Sequence, residues 1–572
     1  MDPLIQKLLN EGKRVVLGEG PTNAKLVLVG EALGEDEERL GRPFVGVAGW
    51  MLDKCLQAVG IERREVYITN VVPIRPRDNK IENLKELGLT WKDFLPSLSS
   101  TLNVIRPNCV VALGVIALKA LCDLEEITSW RGSILQSALI PGLKVIPTFH
   151  PSYVNRLGDK LAKEEVETKG AAGVVYDYGA ARVSLCLDLR RAKEESKSAI
   201  YNPDTIDFAV CDTVPLVYSA LNRLFFEKEV AFDIETRGHT IISIAFSSGS
   251  NFAHVIPLDL LWLGAAGPET YDLLRRFFAS HDGLIAQVGI FDILMLLQHF
   301  PVKRLHFDTN VAHHTLYPEL PHALDFLTSV YTRIPYFKWL APSGETLFKR
   351  NAYDAVSTFM IAQKEKEELA EYGLTDFFYG FVMPLWHCTF RMGLRGILVD
   401  NKARGELDRE LEKEADKLQA EFNRKTGQDL NVRSHTQMKT YLYETLKLPK
   451  QYHRVTYALT TDEDALEKLA KKSPIVREIL GVRKPLNLRS KLTKVQLDDD
   501  NRARTQYSQS VTDTGRLSSR KTLWRTGLNL QNVPREVEKR RMFVADPGFV
   551  LVAYDLAQAE VRLVAWFAKD ER

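Results

Sequence analysis

Four short apolar runs, separated by helix-like stretches, are the feature that most constrains the fold of the first part of the chain. They read KLVLVG, VYITNVV, CVVALG and KVIPTF, and all lie within residues 25–150. Strands that alternate with helices in this way are typical of βαβ units, whose strands pair in parallel. The pattern therefore predicts an α/β unit built on a parallel sheet.

Length and composition set the wider limits. The chain has 572 residues, which predicts three or four domains at about 100–200 residues each. No apolar run approaches the roughly 18–20 residues of a membrane helix, and the N-terminus MDPLIQKLLNEGKR lacks the apolar segment of a signal peptide. None of the six cysteines forms a CxxC pair, which favours free thiols in a reducing compartment. We therefore expect no membrane partner and a cytoplasmic location, in the host cytoplasm if the chain is viral.

Beyond residue 200 the pattern changes twice. Three runs between residues 229 and 258 predict adjacent strands, and helices dominate from about residue 271 to 370 and again from residue 384. Residues 481–545 hold 15 Lys and Arg against 6 Asp and Glu, a charge that suits a phosphate backbone or an ordinary solvated surface. The final apolar run, residues 549–553, predicts a strand that delivers Asp555 at its end. A long amphipathic helix is predicted from the apolar spacing of Leu407, Leu411, Ala415, Leu418 and Phe422.

Four polar or aromatic residues stand at the predicted strand ends of the first unit or between them. Glu31, Asn70 and His150 follow three of the strands, and Phe44 lies in the glycine-rich segment GRPFVGVAG. An open parallel sheet binds its ligands just past the carboxyl ends of its strands. A carboxylate, an amide, an imidazole and an aromatic ring together suit a planar, polar, extruded base. Each residue alone also has an ordinary structural explanation, such as a cap or a buried histidine.

The segments GEALGEDEERLGRPFVGVAGWML, VYITNVVPIRP and HPSY, in this order, resemble the uracil-DNA glycosylases of the family 4 type over about residues 20–190. The resemblance implies that Phe44 stacks on an extruded uracil, that Glu31 lies beside it and that Asn70 reads its polar edge. It also implies that His150 donates a hydrogen bond toward O2 as charge develops on the departing base. The loop over residues 151–156 would wedge the DNA duplex.

The same family usually holds an iron–sulfur cluster on four cysteines. Here Ile74 stands at one of those positions, and no cysteine precedes Cys55. No iron–sulfur cluster is therefore expected.

Four carboxylates of the middle region form a second group. Asp233 and Glu235 lie two apart in VAFDIET, so they point to the same face of a strand, and Asp292 and Asp354 follow at a strand–helix junction and on a helix. Four carboxylates suit two divalent metals that activate water and stabilise the leaving oxygen of a phosphodiester. Their order resembles the RNase H-like 3′–5′ proofreading exonuclease domain of DNA polymerase I, over about residues 205–365. The resemblance implies that all four bind Mg²⁺ or Mn²⁺.

This region departs from the exonuclease pattern at two positions. Arg350 replaces a tyrosine that orients the attacking water, and Gln287 replaces an asparagine. An active exonuclease and a domain that only holds DNA both remain open.

The last third carries the segments LWHCTFRMGLRGILVD, SVTDTGRLSS, LNLQNVP and AYDLAQAEVRLVAW, which resemble the thumb and early palm of a family A DNA polymerase. The resemblance implies that Asp555 bridges two catalytic metals and that Glu560 excludes a ribose 2′-OH. It also implies that primer–template DNA is contacted by Arg516, Gln531 and Asn532. The fingers and the second catalytic aspartate of that family do not follow, so dNTP binding is expected only with these missing parts, on a second chain.

The expected fold is a multidomain α/β protein with four parts. These are a glycosylase-like parallel α/β domain (1–195), an RNase H-like exonuclease domain (205–370), a mostly helical thumb (375–500) and an incomplete polymerase palm (501–572). The expected function is the N-terminal portion of a bacteriophage-type replicative polymerase that acts on primer–template and uracil-containing DNA. Two alternatives remain: a stand-alone uracil-repair glycosylase with a nuclease, and a non-enzymatic uracil-sensing scaffold.

Overall fold

Two sheets with their surrounding helices form the first of two units in this computed structural model. The structure describes residues 2–162, 168–169, 175–261, 267–340, 344–453 and 458–569. The first unit comprises residues 1–385 and 512–516, and the second comprises residues 386–511 and 517–572. Within the described ranges, no helix is both long and apolar enough to cross a membrane.

The first sheet has five strands in the order β2-β1-β3-β5-β4, and only the edge strand β4 runs antiparallel. This confirms the predicted parallel α/β arrangement. The strands are β1 Leu26–Ala32, β2 Tyr67–Val72, β3 Cys109–Leu113, β4 Leu135–Gln136 and β5 Lys144–Thr148. The accompanying helices are α1 Pro3–Asn10, α2 Glu35–Leu40, α3 Val47–Ala58, α4 Leu95–Ile105, α5 Val115–Cys122, α6 Ile127–Trp130, α7 Pro151–Ala162 and α8 Tyr178–Glu195.

Burial on both faces explains why the strands of this sheet are apolar along their length. Successive side chains of a strand point to opposite faces, so Leu26 and Leu28 of β1 enter one core while Val27 and Val29 enter the other. All four are 5% exposed or less. The sheet is thus a rigid platform for the residues at its carboxyl edge.

The second sheet has six strands in the order β13-β12-β9-β10-β11-β8. Its centre is antiparallel, from β9 through β10 to β11, and its two edges are parallel. The strands are β8 Asp207–Val210, β9 Val230–Arg237, β10 Thr240–Ser247, β11 Phe252–Pro257, β12 Leu284–Ala286 and β13 Phe307–Asp308; β6 Thr168–Lys169 and β7 Val175–Tyr176 form a separate pair. The helices are α9 Val214–Phe225, α10 Leu258–Leu261, α11 Gly267–Ser280, α12 Ile290–Leu296, α13 Thr309–Leu316, α14 Leu324–Tyr331, α15 Glu345–Glu371 and α16 Thr375–Phe377.

The two sheets of the first unit are joined by a common core. Phe326 and Leu327 of α14 lie in the same apolar cluster as Leu185 and Leu189 of α8. Beside this cluster, the buried Arg131 binds Asp188 of α8 and Ser329 of α14. The helices that pack on the two sheets are therefore joined by a shared core and by the hydrogen bonds of Arg131.

The second unit is mostly helical, with small antiparallel sheets. The stripe predicted from Leu407, Leu411, Ala415, Leu418 and Phe422 lies on α18 (Asn401–Thr426), where Leu418 is half-buried and the other four are buried. The helices are α17 Met383–Arg395, which begins in the first unit, α18 Asn401–Thr426, α19 His435–Lys439, α20 Glu463–Ala470, α21 Pro474–Leu492, α22 Val537–Arg540 and α23 Ala559–Ala568. The strands are β14 Ile397–Val399, β15 Arg502–Ala503, β16 Gln506–Ser508, β17 Ser518–Arg520 and β18 Phe543–Val544.

Two local predictions were wrong. Residues 549–553 form no strand, and Val550 and Val552 are 81% and 84% exposed, because no described segment pairs with them. A strand needs a hydrogen-bonded neighbour, so apolar β-branched residues alone do not form one. The expected loop over residues 151–156 is instead the start of α7, where Pro151 fits because the first helical position requires no N–H donor.

Candidate active sites

A cavity of about 700 Å³ opens at the carboxyl edge of the first sheet. Glu31, Phe44, Asn70 and His150 all line it, so the structure brings together the four residues that the sequence predicted there. Strand ends supply Glu31 and Asn70, and the short segments around them supply Phe44 and His150. The cavity is large enough for a nucleobase with its sugar.

Asn70 carries the clearest mark of a binding site. Its side chain is 4% exposed, and its Oδ1 has no hydrogen-bond partner among the described residues. A buried acceptor without a donor costs about 1–3 kcal/mol, which a ligand with a matching N–H would offset. Gly30 makes room for this arrangement, since a Cβ there would lie 2.3 Å from Asn70 Oδ1 and 2.6 Å from Phe44 Cζ.

Phe44 is held in a backbone conformation that few residues adopt. Its φ is +51°, and its ring centroid lies 5.6 Å from that of His150. The carboxylate of Glu37 accepts hydrogen bonds from the backbone N–H groups of Val45 and Gly46, both at 3.1 Å. Glu37 therefore fixes the segment that presents the Phe44 ring. Glu37 was not predicted as a site residue, because an acid on a short helix is usually only a solvated residue.

The hydrogen bonds of His150 determine which of its nitrogens carries the proton. The backbone N–H of Ser152 donates to Nδ1 at 3.2 Å, so Nδ1 acts as an acceptor. A neutral imidazole then carries its proton on Nε2. Burial lowers the pKa of His150 below its ordinary value and so favours this neutral form. His150 is thus a neutral hydrogen-bond donor at the wall of the cavity.

Glu31 has a structural partner that the sequence did not suggest. Its Oε1 accepts a hydrogen bond from the backbone N–H of Ile116 at 3.1 Å, at the start of α5. The carboxylate therefore caps a helix while it lines the cavity.

The second site is a group of acids in the middle region. Asp233 and Glu235 of β9 and Asp354 of α15 each place a carboxylate oxygen within 4.8 Å of the others. We call these three residues the acid cluster. Asp292 is not part of this group, although it is buried and its charge acts on Asp233. Three of the four predicted metal ligands thus converge.

Burial and mutual repulsion shift the pKa values of these acids. Burial, followed by the charges of Asp354 and Asp292, raises the pKa of Asp233 well above its ordinary value. Burial also raises the pKa of Glu235, and that of Asp292 to about 8. A divalent cation would favour the charged forms, and carboxylate oxygens are the donors that Mg²⁺ and Mn²⁺ prefer. The donor set therefore fits such an ion.

Asn351 positions the central acid. Its side-chain amide donates to Asp233 Oδ2 at 2.7 Å and to the Asp233 backbone oxygen at 3.1 Å. Ser243 in turn donates to Asn351 Oδ1 at 2.8 Å, so the amide cannot rotate freely. Asn351 was not predicted as a site residue, although its place three residues before Asp354 on one helix puts both on the same face.

Two cationic side chains contact the acid cluster. Lys338 forms a hydrogen-bonded ion pair with Asp354. Arg350 Nε lies 3.6 Å from Glu235 Oε1 and 4.0 Å from Asp354 Oδ2. The sequence identified Arg350 as a departure from the exonuclease pattern but gave no signal for Lys338, which lies outside any helix or strand.

The residues predicted to bind DNA, nucleotide or metal in the last third are all exposed: Arg516, Gln531, Asn532, Asp555 and Glu560. Gln531 and Asn532 lie in a 3₁₀ turn, where the Gln531 amide donates to the Leu517 backbone oxygen at 2.8 Å. Asp555 belongs to no group of three metal-type ligands within the part of the chain that the structure describes.

Comparison with known proteins bears on both ends of the chain. The model of the uracil DNA glycosylase superfamily matches residues 17–169. A type-4 uracil-DNA glycosylase of Thermotoga maritima is 42% identical over 159 residues, which are 27% of this chain and 80% of that protein. The chain belongs to the uracil-DNA glycosylases through this domain. The cavity is accordingly that of a uracil-DNA glycosylase domain.

The model of DNA polymerase family A matches residues 401–572. DNA polymerase I of Streptococcus pneumoniae is 34% identical over 215 residues, or 36% of this chain, and the chain covers only 24% of that relative. The chain thus fuses a glycosylase domain to a family A DNA polymerase segment. A solved structure, the POL domain of Pol1 from M. smegmatis in complex with DNA primer-template and dNTP, matches at a TM-score of 0.48 and 22% identity over 62% of each chain.

Proposed function

We propose that the glycosylase domain removes uracil from DNA by hydrolysis of the N-glycosidic bond. The observation that carries this proposal is the buried, unpaired Oδ1 of Asn70. Uracil presents an N3–H donor beside its O4 acceptor, which matches the oxygen and the NH₂ of an amide. Cytosine presents the opposite pattern, with an acceptor at N3 and a donor at the 4-amino group. Its binding would place acceptor against acceptor and donor against donor at Asn70, and is therefore disfavoured.

The other residues of the cavity supply the remaining interactions. The ring of Phe44 stacks on the extruded base, while the Glu37 hydrogen bonds keep its segment in place. Cleavage breaks the bond between N1 and the sugar C1′, and water adds to C1′. Negative charge then develops on the uracil O2, where the Nε2–H of neutral His150 donates a hydrogen bond.

The test is uracil release by the full chain from a duplex with a single deoxyuridine, in the presence of EDTA. We expect release by the natural chain and a loss of about a hundredfold or more in Asn70→Ala. Asn103→Ala, an exposed asparagine on α4, is the matched control and should retain activity. Undiminished release in Asn70→Ala would overturn the assignment. Tight binding of uracil-containing DNA without release would instead favour the uracil-sensing scaffold.

A second activity, 3′–5′ exonuclease, is favoured by the convergence of the acid cluster. We propose that the middle region is RNase H-like and that Asp233, Glu235 and Asp354, with Asp292 nearby, hold Mg²⁺ or Mn²⁺. The ion would activate water and stabilise the leaving oxygen. Asn351 would orient Asp233 for this role through its 2.7 Å hydrogen bond.

The exonuclease proposal is tested by shortening of a labelled 3′ end in Mn²⁺ and in EDTA. Asp233→Asn should abolish the metal-dependent shortening, while Asp272→Asn, an acid on the outer side of α11, should not. Degradation that persists in Asp233→Asn would sink this assignment.

For the family A segment we propose binding of primer–template DNA through Arg516, Gln531 and Asn532. Asp555 and Glu560 are proposed to serve metal and nucleotide binding within a complete family A polymerase active site. The chain covers 24% of DNA polymerase I of Streptococcus pneumoniae, so DNA synthesis is proposed for this segment only as part of such an active site. Primer extension by a polymerase that contains this segment, lost in Asp555→Asn, is the expected result.

A further inference from the structure

We propose that Lys338 is a built-in cation of the acid cluster and occupies the position of one of its two expected divalent ions, so that the cluster binds a single divalent ion. This inference rests on the proposed exonuclease site and deepens it.

The geometry of Lys338 is that of an internal counter-ion. Its ammonium group pairs directly with Asp354, whose side chain is only 3% exposed, and its own side chain is 24% exposed. A pair so shielded from water is screened far less than a surface pair. Lys338 therefore contributes a lasting positive charge next to the point where the three carboxylates converge.

Charge balance limits how many divalent ions can bind to the acid cluster beside Lys338. Arg350 lies on the same helix as Asp354, and its side chain approaches Glu235 and Asp354. It adds a second positive charge to the site. One divalent ion together with Lys338 and Arg350 already offsets the three carboxylates of the acid cluster and Asp292, even when all four are ionised. A second divalent ion would lie close to the Lys338 ammonium and the Arg350 guanidinium, and like charges at such short distances repel one another.

The segment that carries Lys338 is anchored from outside the acid cluster. The Lys338 Nζ lies 5.2 Å from the centroid of the Phe337 ring, a cation–π contact. The Tyr336 backbone N–H donates to Ser133 Oγ at 3.1 Å, and the Tyr336 ring meets that of Trp130 edge-on at 5.2 Å. Ser133 and Trp130 belong to the glycosylase domain, so the position of Lys338 depends on how that domain packs.

The experiment measures Mn²⁺ binding to the full chain by calorimetry, with the number of ions checked by electron paramagnetic resonance. The natural chain should bind one ion that Asp233→Asn removes. Lys338→Met keeps most of the length of the side chain without its charge. The variant should bind either a second ion or the first about tenfold more tightly. Lys349→Met, whose lysine lies over the Tyr353 ring, is the matched control and should behave as the natural chain.

Lys338→Arg keeps the charge and should therefore retain one ion at the natural affinity. Thermal melting of Lys338→Met should show a lower melting temperature that Mn²⁺ restores, because the added ion replaces the lost charge. Equal ion number and affinity in Lys338→Met and the natural chain would overturn the inference. Two ions in the natural chain would also overturn it while leaving the exonuclease proposal intact. Mn²⁺ binding that is unchanged in Asp233→Asn would show that the acid cluster does not bind the ion. It would overturn both the proposed metal site and this inference.

Discussion

The Glu31 carboxylate accepts a hydrogen bond from the backbone N–H of Ile116 at 3.1 Å and thereby caps α5. A cap of this kind contributes about 0.5–2 kcal/mol, so Glu31→Ala should lower the free energy of unfolding by that amount. Glu31→Gln keeps an oxygen in place and should release uracil within about tenfold of the natural rate. Urea unfolding and single-turnover uracil release measure the two effects. A loss in Glu31→Gln as large as that in Asn70→Ala would make Glu31 a catalytic group.

His150 should make uracil release resistant to mild acid. Because burial lowers its pKa, the imidazole protonates only at a lower pH than an ordinary histidine does. Protonation would break the acceptor role of Nδ1 toward Ser152, so the acid limb of kcat/KM should have its midpoint below 6.5. His150→Gln, which retains a donor but does not titrate, should be slower and lack this limb. An acid limb centred above 6.5 that disappears in His150→Gln would contradict a neutral donor.

The sequence predicts the glycosylase cavity well because strand ends are local features. Apolar runs mark where strands finish, and a parallel sheet brings those ends together, so Glu31, Asn70 and His150 were found without knowledge of the loops. The side chains that position them were not found. Glu37 and Asn351 act through hydrogen bonds whose partners depend on tertiary packing, and no spacing in the chain encodes those partners.

The failures have a similar cause. Lys338 lies 16 residues from Asp354, and its contact depends on a segment braced by Trp130, more than 200 residues earlier. The predicted strand before Asp555 failed because strand formation depends on a partner as much as on the propensity of Val550 and Val552. Local propensity thus predicts where helices and strands lie. The cation beside Asp354 and the absence of a strand before Asp555 depend instead on contacts between distant segments.

Gly30→Ala should disable uracil release without unfolding the domain. The new Cβ would lie 2.3 Å from Asn70 Oδ1 and 2.6 Å from the Phe44 ring, so both groups must shift. A displacement of this size at a reacting site costs about a hundredfold in rate. Gly405→Ala on α18, where a Cβ would meet nothing within 4 Å, is the matched control and should leave uracil release unchanged. Uracil release and circular dichroism should be measured together, and natural activity in Gly30→Ala would show that Asn70 and Phe44 need no fixed contact.

Asn351→Ala should weaken metal binding by the acid cluster, because Asn351 holds Asp233 through two hydrogen bonds. It removes the 2.7 Å hydrogen bond to Asp233 and leaves the buried Ser243 hydroxyl without its acceptor, at a cost of about 1–3 kcal/mol in unfolding free energy. Mn²⁺ affinity should fall as well, because Asp233 is free to turn away from Glu235. Calorimetric titration with Mn²⁺ and thermal melting provide the measurements, with Asn103→Ala as the control. Unchanged Mn²⁺ affinity would show that Asn351 is purely structural.

The buried pair of Arg131 and Asp188 should hold the glycosylase domain to the middle region. Arg131 Nε donates to Asp188 at 3.0 Å and its Nη1 donates to Ser329 on α14 at 2.9 Å, and both side chains of the pair are 2% exposed. Arg131→Met would leave Asp188 buried without its partner, which costs about 3–5 kcal/mol. Calorimetry should then show a second, earlier melting transition, and adding Asp188→Leu should recover part of the loss, since it removes the unpaired buried carboxylate. If Arg131→Met melts like the natural chain, Asp188 is neutral in the folded protein and the pair does not join the two regions.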